Sequence, residues 1–310
     1  MTADIPDLLA RLSTVNDHNQ RWENLNQIAA VPGARTALRH VRRYGPGRLR
    51  AAALDALAYL DGELGLEEAD LAAVERLIRI RRRTDPLSPV MSIGTTWWCV
   101  RDLDQAAVLA SLGLASPRPA TYRLASSVME IINEDDGCGL VYVGPQINGW
   151  TPIVGPWCDA FGDRAEEVRA TAERLSAECG EVHAFYFSAY GDGTGWLVAR
   201  NGVTIRRYST LDPADVYGDP LPVEHDWMAA RGVPGRLEDH RAYNDHGILV
   251  CVGEYAETME EFYEANDVAA AISVDVGWRH PHDPVVHGSP VMAAVPGAGP
   301  IVFPPGLYEI

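Results

Sequence analysis

The stretch that most constrains the fold is residues 140–156, with the sequence LVYVGPQINGWTPIVGP. Two apolar runs, Leu140–Val143 and Trp150–Val154, flank a polar link that contains Asn148 and Gly149. β-Branched and aromatic residues bounded by turn-forming residues predict two strands of a hairpin. Because the runs are nearly continuous rather than alternating, we expect this hairpin in the interior of a sheet, covered on both faces.

Helical periodicity dominates residues 1–85. Apolar side chains recur at helical spacing in two stretches, at Leu49, Ala53, Leu57 and Leu60 and again at Leu71, Val74 and Ile78. The second stretch begins with acidic residues and ends with arginines, a polarity that complements the helix dipole. We predict a helical region over 1–85, built from short helix pairs as in helical-repeat modules, and a linker in the proline-containing segment 84–92.

The order of predicted elements is the same in the two halves of residues 86–210. In the first half, the strand at 95–100 precedes a predicted helix at 102–114 and predicted strands at 122–132, 140–143 and 150–154. In the second half, a predicted helix at 163–179 precedes predicted strands at 182–190, 195–199 and 203–208. We predict an α+β fold in which this body consists of two tandem helix-plus-three-strand antiparallel units, each helix covering one sheet. Residues 211–310 are predicted to form an irregular and helical C-terminal extension that packs on the body.

The composition is typical of a globular protein, with 47% hydrophobic and 22% charged residues. No apolar run approaches the ~20 residues that span a bilayer, and the acidic N-terminus lacks the basic start of a signal peptide. We therefore expect a cytoplasmic protein with no membrane partner. The five cysteines are an odd number without C-x-x-C spacing, which predicts reduced thiols rather than a disulfide framework or a zinc cluster.

The net charge of −17 is unevenly distributed. Residues 1–85 hold 13 Arg against 12 Asp and Glu, a net charge of +1, whereas the remainder holds 13 Arg against 31 Asp and Glu, a net charge of −18. Such an acidic body disfavours nucleic acid as a partner. Because every basic residue is arginine, the chain has no lysine to anchor pyridoxal phosphate or to serve a phosphate-binding loop. We expect no cofactor.

Two clusters contain side chains of the type that bind metals or transfer protons. The metal candidates lie in RHPHDPVVHG at 279–288 and are His280, His282, Asp283 and His287. Two prolines make this segment a loop, where histidines are ordinarily solvated, and we predict no metal site. The second cluster consists of Glu238, Asp239, His240, Asp245 and His246. It is a polar loop without the burial that acid–base catalysis favours.

Nucleophile and phosphate-loop motifs are also weak. The chain has no G-x-S-x-G, and its closest thiol–imidazole pair is Cys179 with His183. The sequence GDGTG at 191–195 has strand signals on both sides and is predicted to be a hairpin turn. The acidic stretch 134–137 is likewise predicted to be a turn rather than a calcium loop. The catalytic residues, if there are any, are therefore unknown.

Three segments resemble a family of actinobacterial proteins without an assigned activity. They are TTWWCVRDLDQAAVLASLGL at 95–114, LVYVGPQINGWTPIVGPWCD at 140–159 and AFYFSAYGDGTGWLVARNGVTIRRY at 184–208. The centre of the likeness is G-W-T followed by V-G-P-W, and the helix at 71–83 is similar too. The resemblance implies a coherent fold over much of 66–208 and an actinobacterial source, and it implies no site residues.

Tryptophans and arginines supply the binding candidates. Adjacent Trp97 and Trp98 face opposite sides of a predicted strand, so we expect one of them to line a groove or to lie exposed. Exposed aromatic side chains with arginines nearby suit peptide or protein recognition. The predicted binding residues are Trp98, Arg101, Asn148, Trp150, Trp196 and Arg206.

The function predicted from the sequence is non-catalytic binding of a peptide or protein by an accessory or regulatory factor. An unpaired sheet edge can accept an added peptide strand, which gives this prediction a mechanism. Two alternatives stay open: a metal-dependent hydrolase that uses the C-terminal histidines, and an immunity-type protein whose acidic surface binds a basic toxin. The oligomeric state is unknown from the sequence.

Overall fold

The computed structural model describes residues 4–15, 17–91, 94–132, 139–189, 193–212, 215–245, 249–260, 264–277 and 284–309. Contacts divide the chain into two compact units. The first comprises Met1–Asp85, Pro119–Val128 and Pro300–Ile310, and the second comprises Pro86–Arg118 and Met129–Gly299. Helices followed by a strand-rich body confirm the predicted α+β class.

The first unit is built mainly from five helices. They are α1 (Ile5–Leu12), α2 (His18–Ala29), α3 (Ala34–Tyr44), α4 (Gly47–Asp61) and α5 (Glu68–Arg81). The apolar faces of α1 to α4 meet in one core that includes Leu8, Leu25, Leu38 and Leu57. Inside this unit the buried guanidinium of Arg21 is paired with the carboxylates of Asp55 and Glu309.

Eleven strands of the described residues form one sheet in the second unit. The bounds are β1 (Gly94–Arg101), β2 (Ala115–Pro119), β3 (Leu140–Val143), β4 (Gln146–Ile147), β5 (Trp150–Val154), β6 (Glu181–Ser188), β7 (Gly193–Arg200), β8 (Val203–Ser209), β9 (Tyr217–Gly218), β12 (Val286–His287) and β13 (Val291–Ala294). The order across the sheet is β2-β13-β3-β5-β1-β6-β7-β8-β9, and off this path β4 pairs with β5 while β12 pairs with β4. A separate ribbon pairs β10 (Arg241–Tyr243) with β11 (Leu249–Cys251).

The remaining helices are α6 (Gln105–Ser111), α7 (Tyr122–Ile132), α8 (Ala165–Cys179), α9 (Pro222–Ala230), α10 (Ala256–Glu260) and α11 (Ala265–Ile272). α8 packs against β6, β7 and β8, and α11 packs against β6 and β7. No helix in the described ranges has the length and apolar character needed to cross a bilayer.

The predicted hairpin is confirmed. β3 and β5 pair antiparallel in the interior of the sheet, and every residue of β5 is buried. The neighbouring strand β1 shows why both faces are covered. Trp98 belongs to the core cluster under α8, whereas Trp97 faces the other way, stacks on Phe185 and donates its Nε1–H to the Val274 carbonyl at 3.2 Å.

The first of the two tandem units differs from the prediction. The run at 122–132 is a helix, α7, and not a strand. Its buried residues Leu124, Ala125, Val128 and Met129 follow the period of a helix, and the Thr121 hydroxyl accepts a hydrogen bond from the Leu124 amide at 3.1 Å as an N-cap. β13 takes the place beside β3 instead. The second of the predicted tandem units is confirmed, with α8 followed by the antiparallel strands β6, β7 and β8.

Two features of the C-terminal third were missed. α9, whose first turn begins at Pro222, was not identified within the predicted C-terminal extension. β13 is a buried strand inside the sheet, whereas residues 211–310 were predicted to form an irregular and helical extension that packs on the body. Short strands of this kind gain their stability from their neighbours in the sheet, which the local sequence does not reveal.

Candidate functional site: the Glu181 cluster

Three of the six predicted binding residues lie together at one end of the sheet. Arg101 ends β1, Trp150 begins β5 opposite it in the register, and Asn148 lies in the turn before Trp150. The other three are interior residues. Trp98 and Trp196 have no exposed surface, and neither has Arg206. The expectation that Trp97 or Trp98 lies exposed is therefore wrong, because both faces of β1 are covered.

The turn beside Trp150 is a tight hairpin. Asn148 and Gly149 both have positive φ angles, 51° and 86°, as a two-residue type I′ turn requires. The Asp102 amide donates to the Gly149 carbonyl at 2.8 Å. Asn148 is held from the other side by Val285, since its amide donates to the Val285 carbonyl and its side-chain oxygen accepts from the Val285 amide, each at 2.9 Å. The turn is thereby fixed at both flanks.

Glu181 is the centre of the site, which we call the Glu181 cluster (Arg101, Trp150, Glu181, His183 and Arg200). Arg101 donates to Oε2 of Glu181 at 2.9 Å, and Arg200 donates to Oε1 at 2.6 Å. His183 Nε2 lies 3.2 Å from Oε1. Hydrogen bonds from His183, Arg200 and Arg101 lower the pKa of Glu181 from 4.5 to about 2, so it is ionised at neutral pH.

Trp150 forms the floor under these polar groups. The residue is 8% exposed, and its ring lies 4.5 Å from the His183 ring, centroid to centroid. The Arg101 guanidinium carbon is 5.6 Å from the Trp150 ring centroid, a cation–π distance. Arg101 and Arg200 side chains are nevertheless 50% and 51% exposed. The cluster thus holds two solvent-facing guanidinium groups in fixed positions.

His183 is buried, and burial lowers its pKa from 6.5. Its Nδ1 has no hydrogen-bond partner among the residues that the structure describes. With Nε2 protonated and donating to Glu181, the imidazole is neutral and stays an acceptor at Nδ1. Protonation would add a buried charge between two arginines, and the fold opposes it.

This arrangement predicts a pH-dependent stability. The unfolded chain binds a proton at His183 near pH 6.5 and the folded chain does not, so stability is expected to fall as the pH drops below about 6.5, with a slope of up to about 1.4 kcal/mol per pH unit. Below pH 4.5, protonation of Glu181 in the unfolded state adds a second loss. Urea unfolding between pH 8 and pH 5 measures the first effect.

Two histidine variants test this prediction, one at the buried His183 and one at an exposed histidine as the control. His183→Gln is expected to flatten the slope between pH 6.5 and 5, because glutamine can still donate to Glu181 but does not titrate. The same change at His225, which is exposed on α9, should leave the slope in place. An unchanged slope in His183→Gln would contradict the assignment.

Nucleophilic chemistry finds little support at this site. Burial raises the pKa of the Cys99 thiol to about 12, and burial also raises the pKa of Cys179. Cys179 donates its thiol proton to the Glu181 carbonyl at 3.3 Å rather than facing His183. All four described cysteines are free thiols. A thiol that stays protonated at neutral pH is a poor nucleophile.

The first of the two loop clusters identified in the sequence is described only in part. Of the C-terminal candidates, His287 lies exposed on β12, while His280, His282 and Asp283 lie outside the described residues. Within the described part of the chain, no three His, Cys, Asp or Glu side chains are placed to hold one metal ion.

The cluster at 238–246 has structural roles where it is described. Glu238 pairs with Arg206, and Asp239 accepts the Arg236 amide at 2.8 Å. His240 Nε2 lies 2.7 Å from the Pro234 carbonyl oxygen. His246 lies outside the described residues. These contacts fix the chain around a short 3-10 helix and form no catalytic pair.

The burial of Arg206 and Trp196 has a clear structural cause. Arg206 binds Glu224 of α9 through two hydrogen bonds, of 3.1 and 2.7 Å, and Glu238 through two more, of 3.2 and 3.0 Å. Trp196 donates its Nε1–H to Glu224 at 2.7 Å and stacks on Tyr208. These two predicted binding residues therefore anchor α9 to the sheet.

Comparisons of the chain with protein-family models, with curated proteins and with solved structures find no match. The resemblance to an actinobacterial family accordingly stays a prediction.

Proposed function

We propose that this protein is a non-catalytic peptide- or protein-binding factor, with an accessory or regulatory role in the cytoplasm. Its contact surface, which we call the turn patch, consists of Arg101, Asp102, Asn148, Arg200 and Val285. The observation that supports this proposal best is the pair of half-exposed guanidinium groups held by one buried carboxylate, Glu181. Arginine fixed in advance loses less side-chain entropy on binding than a free one.

The turn patch has the mixture of groups that binding surfaces use. Val285 and Asp102 are well exposed, Asn148 is exposed at the turn, and the Trp150 ring supports Arg101 from below. Arginine and aromatic residues are enriched at the energetic centres of protein interfaces. Asp102 adds a negative charge beside Arg101, so the patch presents both signs of charge at defined positions to a partner.

Strand addition at the main sheet edges is less favoured than side-chain contact. One edge strand, β2, contains Pro117 and Pro119, which have no amide hydrogen to donate. The other, β9, has only two residues. Short and proline-containing edges are ordinary protections against added strands. We therefore propose recognition through the turn patch, and not by extension of the sheet.

Selection from a displayed library of random peptides tests the proposal. Peptides enriched on the immobilised protein are expected to bind Arg101→Ala about tenfold more weakly than the natural protein, measured by fluorescence anisotropy. Arg174→Ala is the matched control, because Arg174 is equally exposed and pairs with Glu178 on α8. It should bind normally.

Two results would contradict the proposal. One is an absence of enriched peptides over a bare surface. The other is equal peptide affinity in the natural protein and in Arg101→Ala with Arg200→Ala. Melting curves of each variant establish that it is folded before its affinity is compared, since both arginines also neutralise Glu181.

A further inference from the structure

A second charged surface lies in the helical unit and has the opposite character to the rest of the chain. Four arginines of α3 and two at the start of α4 form what we call the α3 arginine face: Arg35, Arg39, Arg42, Arg43, Arg48 and Arg50. Three carboxylates from α4 and α5 or its N-cap are paired with it: Asp61, Asp70 and Glu67. The face therefore has a net charge of +3 on a chain whose net charge is −17.

The excess charge comes from particular residues. Arg35 and Arg39 share the single carboxylate of Asp61. Arg50 donates to the Gly45 carbonyl at 2.6 Å, which is neutral, and Arg48 is exposed without an ion pair among the described residues. An intramolecular network that leaves three guanidinium groups uncompensated has capacity for carboxylates from outside.

An exposed aromatic pair lies on α3 beside this surface, where Tyr44 directly follows Arg43. Tyr44 is 71% exposed at the end of α3, and its ring centroid lies 5.1 Å from that of His40, one turn earlier. The residues that α3 buries in the helical core are Ala34 and Leu38, and Tyr44 is not among them. An exposed tyrosine among arginines is the composition of an interface hot spot.

The helix that presents these groups is well anchored. Leu38 is fully buried in the helical core, Arg42 bonds Asp70 at 2.9 Å, and Arg43 bonds both oxygens of Glu67 at 3.0 Å. The side chains are thus offered from a rigid frame, which reduces the entropy lost on binding. Spacing of i, i+4 and i+8 places Arg35, Arg39 and Arg43 along one line of α3.

We propose that the α3 arginine face binds an acidic peptide segment of a partner protein, with Tyr44 as the aromatic anchor and the uncompensated arginines as carboxylate ligands. Arginine suits this role because its planar fork bonds a carboxylate through two parallel hydrogen bonds. Nucleic acid is the less favoured partner, since its affinity rises with the number of phosphates that a protein neutralises, and this face offers three uncompensated guanidinium groups. This surface is independent of the turn patch.

A labelled hexaglutamate peptide and a labelled single-stranded oligothymidylate of equal charge are the probes, titrated with the full chain at low and physiological salt. Hexaglutamate is expected to bind at low salt and to weaken as salt rises. Tyr44→Ala and Arg48→Ala should each weaken it about threefold to tenfold. Neither change removes an intramolecular ion pair, so both variants should fold normally.

Arg174→Ala is again the matched control, since it alters the net charge as Arg48→Ala does but lies on α8. Loss of hexaglutamate binding equally in Arg174→Ala would overturn the proposal by showing a general charge effect. So would tighter binding of the oligothymidylate, which would make the face a nucleic-acid surface, or an absence of hexaglutamate binding at low salt. Retained binding in Arg101→Ala would separate this surface from the turn patch.

Discussion

Replacement of Arg206 by alanine is expected to lower the free energy of unfolding by about 3–5 kcal/mol. Arg206 has no exposed surface, and its guanidinium group neutralises Glu224, which is also buried. Burial raises the pKa of Glu224 even with Arg206 present. Without Arg206 the carboxylate would be left uncompensated in the interior, and Trp196 and Glu238 would lose a shared partner. Urea unfolding at neutral pH measures the loss.

Two controls make this result specific. Arg174→Ala removes an exposed pair with Glu178 and is expected to cost less than about 0.5 kcal/mol. Arg206→Met combined with Glu224→Gln should cost less than Arg206→Ala alone, because the neutral amide still accepts from Trp196 and the fully buried charge of Glu224 is removed together with its partner. A single variant as stable as the natural protein would show that Arg206 is not the anchor of α9.

The sequence predicted the parts of the fold that local pattern determines. The hairpin of β3 and β5 has two apolar runs around an Asn-Gly turn, and these signals act over short distances. α7 was missed although Leu124, Ala125, Val128 and Met129 have helical spacing, because β-branched and aromatic residues at 122–132 also suit a strand. The place of β13 beside β3 depends on a pairing between residues about 150 positions apart, which no local pattern encodes.

The candidate site was predicted only in part. Arg101 and Trp150 were identified because tryptophan and arginine are frequent in interfaces, and Asn148 because of the turn. Glu181, His183 and Arg200 were missed as a group. The signal for two of them was present, since residues i and i+2 of a strand point to the same side, which places Glu181 and His183 together. Their meeting with Arg101 and Arg200 needed the register of β1, β6 and β7.

Composition alone cannot distinguish a buried arginine from an exposed one. Arg206 and Arg207 are adjacent on β8, and both are buried for different reasons. Arg206 is neutralised by Glu224 and Glu238, whereas Arg207 pairs with Asp215 and donates to the Ala160 carbonyl at 2.7 Å. These carboxylates come from separate segments of the chain. Only the fold brings them to the two guanidinium groups, so the prediction of Arg206 as a binding residue was made without any signal of its burial.

The second large effect is expected at Trp150. Replacement by alanine should lower the free energy of unfolding by about 3–5 kcal/mol, as other large-to-small changes of buried aromatic residues do. Trp150 is 8% exposed, its ring contacts the His183 ring, and it is the first residue of β5, a strand in which every residue is buried. Its loss would open a cavity under Arg101 and His183. Chemical denaturation of the variant beside the natural protein measures the change.

Trp150→Phe is the control that separates packing from recognition. Phenylalanine keeps an aromatic floor below Arg101, so this variant should lose about half as much stability or less and should keep most of the affinity for peptides selected on the natural protein. Trp150→Ala should lose both stability and affinity, because Arg101 would no longer be supported by the ring at 5.6 Å. An alanine variant with unchanged unfolding but weakened peptide binding would show that Trp150 contacts the partner directly rather than holding Arg101 in place.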